Sequence, residues 1–165
     1  KKVGFTVHVI PPIQIDGMTI SSSSVRELLL FGNVSKATEL LGRPHSIIGK
    51  VVMGFQRGRT IGFPTANLLT EHEVIPGRGV YAVQVLLDNE IYPGIMNIGQ
   101  RPSFPEAGPS VEVHLLGFDK NIYGTELKIF FIDKIRDETK FDSIESLREQ
   151  IHKDEIQAKT IFHLV

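Results

Sequence analysis

Five runs of strand length follow one another after Pro44, and no interval between them holds a convincing crossover helix. They are HSIIGKVVMG (45–54), GVYAVQVLL (79–87), EIYPGIMNIG (90–99), VEVHLLGF (111–118) and ELKIFFIDKI (126–135), all rich in β-branched and aromatic residues. Asp88-Asn89, Gly108-Pro109 and the stretch from Asp119 to Gly124 separate them as turn residues. A parallel pairing needs a long crossover, whereas antiparallel strands can be joined by a tight turn. The sheet is therefore expected to be mainly antiparallel. Five or six short strands this close together are expected to close, or nearly close, into a small barrel.

Helical patterns flank this β-rich region. SVREL places Ser24 three residues before Glu27, the spacing of a capping box, and Leu28, Leu29 and Leu30 follow as an apolar face that Gly32-Asn33 end. A second short helix is predicted over roughly 35–41, from Ser35 to Gly42, with Pro44 beyond it. After Phe141, the pair Asp142 and Glu145 repeats the capping-box spacing. Ile144, Leu147, Ile151, Ala158 and Ile161 recur at helical intervals, so an amphipathic helix is expected against the barrel. Upstream, VGFTVHV (3–9) alternates like a strand, and IPPIQIDG reads as an extended connection ending in a turn.

Composition narrows the function classes. A net charge of −1 disfavours a broad cationic nucleic-acid surface, and zero tryptophans disfavour a stacking groove for single strands. Zero cysteines exclude disulfides, thiolate metal sites and a cysteine nucleophile, which fits a cytoplasmic setting. No run approaches the roughly 18 apolar residues of a membrane span. The chain starts with Lys rather than Met, so it is expected to be a piece that begins inside a larger protein.

The stretch RTIGFPTANLLT (59–70) carries the first chemical signal. A Walker A loop fails because Phe55 stands where Gly49 and Gly54 would require a lysine. Gly77-x-Gly79-x-x-Ala82 opens onto a strand pattern and gives a pyrophosphate no helix N-terminus. What remains is Gly54, Gly58 and Gly62 with Arg57 and Arg59 between them. Such a run is either an ordinary basic turn or a phosphate cradle, since glycines admit close backbone N–H groups and guanidiniums add forked donors. Pro64 then fixes φ near −65° and presents Thr65 and Asn67 in one geometry. These two are either turn residues or hard oxygen ligands of the kind Mg²⁺ takes alongside phosphates. In VEVHLL, Glu112 and His114 share the face opposite Val111, Val113 and Leu115, either solvated or turned to chemistry.

GRTIGFPTANL resembles the signature of the riboflavin kinase family, in particular the kinase module of the bacterial bifunctional riboflavin kinase/FAD synthetase. LLGRP (40–44), GVYAV (79–83), PGIMNIGQRPSF (93–104), VEVHLLGF with IYG (111–124) and IRDETKFDSIESLREQI (135–151) extend the resemblance in order over roughly residues 40–160. The resemblance implies a mainly β fold, a six-stranded antiparallel Greek-key barrel over 41–165 with a C-terminal amphipathic helix. Residues 1–40 would be a short remnant of an α/β nucleotidyltransferase (FMN adenylyltransferase-like) domain and linker. It implies transfer of the γ-phosphate of Mg²⁺-bound ATP to the 5′-hydroxyl of riboflavin, giving FMN and ADP. The alternative is a non-catalytic flavin- or nucleotide-binding barrel.

By the same resemblance, Glu112 is the general base, with His114 structural, and Thr65 and Asn67 face the metal and phosphates. Gly54, Arg57, Gly58, Arg59, Gly62, Pro64 and Asn97 would lie on the ATP side. Arg101, Arg136, Phe141 and Glu112 would lie on the flavin side, with 135–142 as part of a flap. DGMTISSSSVRELLLFGNV (16–34) is similar to the closing segment of the adenylyltransferase module of such proteins, the partner expected on the same polypeptide. Arg26 is retained there, whereas Ser24 stands where a basic residue is usual.

Overall fold

The computed structural model describes residues 4, 8–9, 11–54, 58, 62–100 and 109–164. Six strands make a closed barrel: β3 (Ser46–Val52), β4 (Ala66–Leu69), β5 (Gly79–Leu87), β6 (Glu90–Gly99), β7 (Ser110–Leu115) and β8 (Glu126–Arg136). Their order is β3-β4-β7-β6-β5-β8 with β8 closing on β3, and every pairing is antiparallel. β5, β6 and β7 form a meander and β8 returns beside β5, which is the Greek-key arrangement. The mainly β barrel is thus as expected. Its sixth strand, β4, is the part that the spacing of strand-length runs did not delimit.

A two-stranded hairpin, β1 (Gln14–Ile15) and β2 (Met18–Thr19), precedes helices α1 (Ser22–Leu30) and α2 (Val34–Leu41). Of the strand predicted at 3–9, Gly4, His8 and Val9 are described and lie outside any strand, and the rest falls outside the described residues. α1 begins earlier than the Ser24–Glu27 spacing predicts. Its N-cap is Ser21, and Ser24 closes the reciprocal box. The C-terminal helix α3 (Ile144–Ile161) repeats the correction, because Ser143 caps it and Ser146, not Glu145, answers. A serine hydroxyl both donates and accepts, so it fills either position of the box and Glu is not required. α2 is capped by Asn33 and ends on Gly42 at φ 68°, where the left-handed backbone favours glycine.

Alternation along each strand divides the chain between an inner and an outer face. Tyr81, Val83, Val85, Met96, Ile98, Val111, Val113, Leu115, Leu127, Ile129 and Phe131 point inward and are buried together. Leu29, Val34 and Ala37 of α1 and α2 join the same cluster, so these helices cap the barrel core. The connection from β4 to β5 crosses that end, with Val74 and Ile75 packed on the core and Gly77 N–H donating to the Leu29 carbonyl at 2.9 Å. Outside, Ala158 and Ile161 of α3, with Phe162, cover Val80, Ala82, Ile95 and Ile135.

Tyr81 ties the capped end together. Its ring is fully buried and meets Phe131 edge-on at 5.5 Å, and its hydroxyl donates to the Gly77 carbonyl. Burial, with the charge of Asp137 adding, pushes the phenol up to about 12. A folded-state value above the unfolded one favours the native state fully below pH ~10, and this contribution fades as pH rises towards 12. Tyr81→Phe is expected to cost about 1 kcal/mol at pH 7, because the Gly77 carbonyl loses its donor. Between pH ~10 and ~12, urea titrations should show wild type losing stability more steeply than Tyr81→Phe.

Candidate active site

One register row runs through all six strands. Val52 lies opposite Asn67, Asn67 opposite Glu112, Glu112 opposite Asn97, Asn97 opposite Val80, and Val80 opposite Arg136. Ala66 and Leu68 point inward, which leaves Asn67 on the outer face, and the same alternation puts Glu112 and Asn97 there. Three polar side chains that are remote in sequence thereby stand side by side.

Arg136 reaches this row through two bulges. The β5–β8 register shifts between Val80 and Tyr81 and again between Ala82 and Val83, each time with an extra residue on β8. Counting back from the Val83–Phe131 pair, an unbulged ladder would set Lys134 opposite Val80. The bulges bring Arg136 there instead. The Arg136 guanidinium is then fixed: Nε and Nη2 donate to both oxygens of Asp154 at 2.8–3.1 Å. Nη1 donates to the Asp137 carbonyl at 3.0 Å, and the guanidinium lies 5.6 Å from the centre of the Phe141 ring. Gln150 donates to Asp154 at 2.9 Å. Asp154 is 2% exposed, and among the described residues its charge is compensated by Arg136, with the Gln150 amide adding a hydrogen bond.

Glu112 is half-buried with a donor on each oxygen. Thr65 Oγ1 donates to Oε2 at 3.2 Å and Ser110 Oγ donates to Oε1 at 3.0 Å. His114, two residues on, accounts for the position of Thr65. Its Nδ1 is 2.7 Å from the Pro64 carbonyl, which only accepts, so Nδ1 carries the hydrogen. The imidazole also meets Phe63 edge-on at 5.8 Å. His114 thus clamps the Phe63-Pro64 turn. On α3, the Lys159 hydrogen bond at 2.8 Å holds Glu155 below the ordinary carboxylate range against burial, and the charges of Lys159, His114 and His152 act in the same sense.

Two of the loop glycines are sites of close approach. A Cβ at Gly54 would stand 2.1 Å from Asn67 Nδ2, and a Cβ at Gly58 would stand 2.3 Å from the Phe63 carbonyl oxygen. A side chain at Gly54 would push the Asn67 carboxamide aside, and one at Gly58 would press on the backbone of the Phe63-Pro64 turn. Gly62 sits at φ 90°. Arg57, Arg59 and Arg101, which the sequence reading also assigns to the site, lie outside the described residues.

Two cavities meet at Thr65. The larger, about 580 Å³, lies between the outer barrel face and α3, where Glu112, Asn97 and Arg136 face Phe141, Leu147 and Ile151. Ile144, Leu147 and Ile151 of the apolar stripe on α3 therefore line a cavity rather than packing on the barrel, and Ile144 remains 64% exposed. The smaller, about 440 Å³, is walled by Val51, Pro64, Thr65 and the Phe118–Tyr123 loop. Both volumes fall in the range of small-molecule sites, about 300–1,000 Å³. Where they meet stand the Thr65 hydroxyl and, hydrogen-bonded to it, the Glu112 carboxylate; Asn67 is paired with Glu112 on the neighbouring strand but lines neither cavity. All three offer hard oxygens of the kind that suit Mg²⁺. Sequence reasoning missed Ser110, Asp154 and the 119–121 loop as site residues. Asp154 did leave a signal: it falls in phase with Leu147, Ile151 and Ala158, an acid on an apolar stripe.

The family model for riboflavin kinase (Flavokinase) matches residues 41–162. A bifunctional riboflavin kinase/FMN adenylyltransferase from Haemophilus influenzae is 43% identical over 164 residues, covering 99% of this chain and 53% of that protein. Its namesake from Bacillus subtilis is 46% identical over 147 residues, 87% of this chain and 46% of that protein. The chain thus spans about half the length of the curated relatives it matches. Among solved structures, one described as a macrolide-efflux protein from Streptococcus pneumoniae superposes with a TM-score of 0.85 at 38% identity, over 91% of this chain and 50% of that one. A riboflavin kinase from Trypanosoma brucei gives 0.52 at 26% identity, over 72% and 79%. Among the described residues no helix is long and apolar enough to cross a membrane.

Removal of the buried carboxylate tests the cavity wall. Asp154→Ala leaves Arg136 with its main partner gone, and a loss of about 3–5 kcal/mol is expected by chemical denaturation. A change under ~0.5 kcal/mol would show that the freed guanidinium is satisfied elsewhere, and adding Arg136→Ala in a double-mutant cycle gives the worth of the pair itself.

Proposed function

The chain belongs to the riboflavin kinase family, and from that premise we propose that it transfers the γ-phosphate of ATP to the 5′-hydroxyl of riboflavin, releasing FMN and ADP. The observation that carries this reading is the wall between the two cavities. Thr65 borders both and hydrogen-bonds Glu112, so a carboxylate and a hydroxyl stand where two ligands would touch. The larger, mostly apolar cavity suits the planar flavin, with its ribityl chain directed at Glu112. The smaller cavity suits the adenosine part, with the phosphates lying over the turn at 63–67.

In this arrangement Glu112 accepts the proton of the 5′-hydroxyl as that oxygen bonds to the γ-phosphorus and the bond to the β-phosphate oxygen breaks. Thr65 and Asn67 would hold Mg²⁺ together with the phosphates, and the ion would supply neutralisation of developing negative charge. His114 keeps the Pro64 carbonyl, and with it Thr65, in place. Arg136 is committed to Asp154, so it shapes the flavin side as a fixed wall and supplies no net charge there. Phe141, stacked on Arg136, forms the edge of that wall. Asn97, beside Glu112, offers an amide to the ribityl chain or the phosphate.

The relatives' names add an adenylyltransferase, and we place the described N-terminal helices at the end of such a module on a longer polypeptide. Ser24, where that module usually has a basic residue, is occupied here in the helix cap, donating to the Thr19 carbonyl at 2.9 Å.

Purified chain incubated with riboflavin, ATP and Mg²⁺ should yield FMN and ADP on a chromatogram. Bound flavin that stays unphosphorylated would favour a carrier barrel instead. Glu112→Gln is expected to keep flavin binding by fluorescence quenching and to lower kcat by about 10²–10⁴-fold. Turnover within twofold of wild type would move the base elsewhere. Asn67→Ala should raise KM for Mg·ATP with the riboflavin Kd unchanged, and equal losses on both would argue against a metal-side role.

A further inference from the structure

A general base must present a lone pair to the attacking hydroxyl at about 2.6–3.2 Å. Nothing in the Glu side chain itself fixes that direction, because the terminal torsion is broad and twofold. The Thr65 bond to Oε2 restrains one oxygen but leaves the carboxylate plane free to swivel about it. The second restraint comes from Ser110, whose Oγ is 3.0 Å from Oε1.

Ser110 is well built for that purpose. It lies two residues before Glu112 on β7, so both side chains leave the same face, and its backbone is registered against Gly99. Gly99 has no side chain, and the Glu138 carboxylate fills that space, with Oε1 2.6 Å from where a Cβ would stand; the Ser110 hydroxyl donates to Glu112. A serine has one hydrogen to donate, and an ionised carboxylate only accepts, so the direction of the bond is fixed. Ser110 does not line the 580 Å³ cavity; it stands beside Glu112 along the strand.

We propose that Ser110 is a positioning residue of the phosphoryl transfer: with Thr65 it pins both oxygens of Glu112 and sets the plane from which the base meets the riboflavin hydroxyl. This rests on the reading of Glu112 as base. It acts on turnover and not on substrate binding, because the hydroxyl touches Glu112 and does not line the cavity.

Three substitutions isolate the hydroxyl. Ser110→Ala deletes it, and Ser110→Thr and Ser110→Val present nearly one shape with and without it, both suited to a strand. FMN formation gives kcat and KM, and riboflavin fluorescence quenching gives Kd for each folded variant. Ser110→Ala and Ser110→Val are expected to lose about tenfold in kcat, the worth of one hydrogen bond to a charged group, with riboflavin Kd within about twofold. Ser110→Thr should keep kcat within about threefold of wild type. Unchanged kcat in Ser110→Val overturns the proposal, as does an equal loss in Ser110→Thr and Ser110→Val, which would mark a response to shape alone. A parallel rise in Kd would overturn it too, by showing a binding role. If wild type itself forms no FMN, the kinase reading falls and takes this proposal with it; if wild type is active and Ser110→Val matches it, the proposal alone falls.

Discussion

The antiparallel register row from Val52 to Arg136 is the constraint on which the rest of the site depends. None of Asn67, Glu112 and Asn97 is near another in sequence, and no loop carries them to each other. They meet because three neighbouring strands are hydrogen-bonded in one register and all three side chains fall on the outer side of the pleat. Backbone pairing sets their positions, and a rigid sheet holds them there without a further cost in ordering on each encounter with substrate. Around that row the mobile chemistry of the side chains is restrained locally, by Thr65 and Ser110 on Glu112 and by Asp154 on Arg136.

Much of this was legible in the sequence, and the reasons for the remainder are physical. The five strand-length runs and the want of crossover helices gave an antiparallel barrel, because β-branched runs and turn residues report local preference. Ala66–Leu69 was harder. Four residues after a proline turn carry too little alternation to stand out, and their strand character comes from pairing with β3 and β7. The helix starts were misplaced at Ser24 and Asp142 because a serine can take the role that the spacing assigned to Glu. On the site, the family motif led to Thr65, Asn67 and Glu112. Ser110 left no signal, since a serine at the head of a strand looks like any turn-flanking residue. Arg136 was found without its function, for the bulges that deliver it and the aspartate that commits it are decided by tertiary structure.

The Arg136–Asp154 pair also changes how the proposed flavin-side wall is understood. A basic residue beside a proposed phosphoryl-transfer site invites assignment to phosphate. The bidentate bond to a buried carboxylate argues otherwise, since drawing the guanidinium away would leave Asp154 buried and unpaired. Charge at this edge is balanced internally, and the wall is set by packing between β8, Phe141 and α3.

The turn at Asp88-Asn89 joins β5 to β6 with positive φ at both residues, 50° and 66°, the two-residue form that fits strand twist. It lies seven pairs from Asn97 along the hairpin, about 23 Å at 3.3 Å per residue. Over that distance the facing of Asn97 is held by other means: Met96 and Ile98 on either side of it are buried in the core, and β7 pairs it with Glu112. One residue gained or lost between Leu87 and Glu90 would be taken up as a longer loop or a bulge near the turn. The row of polar side chains is thereby insulated from chain length at the far end of its own hairpin.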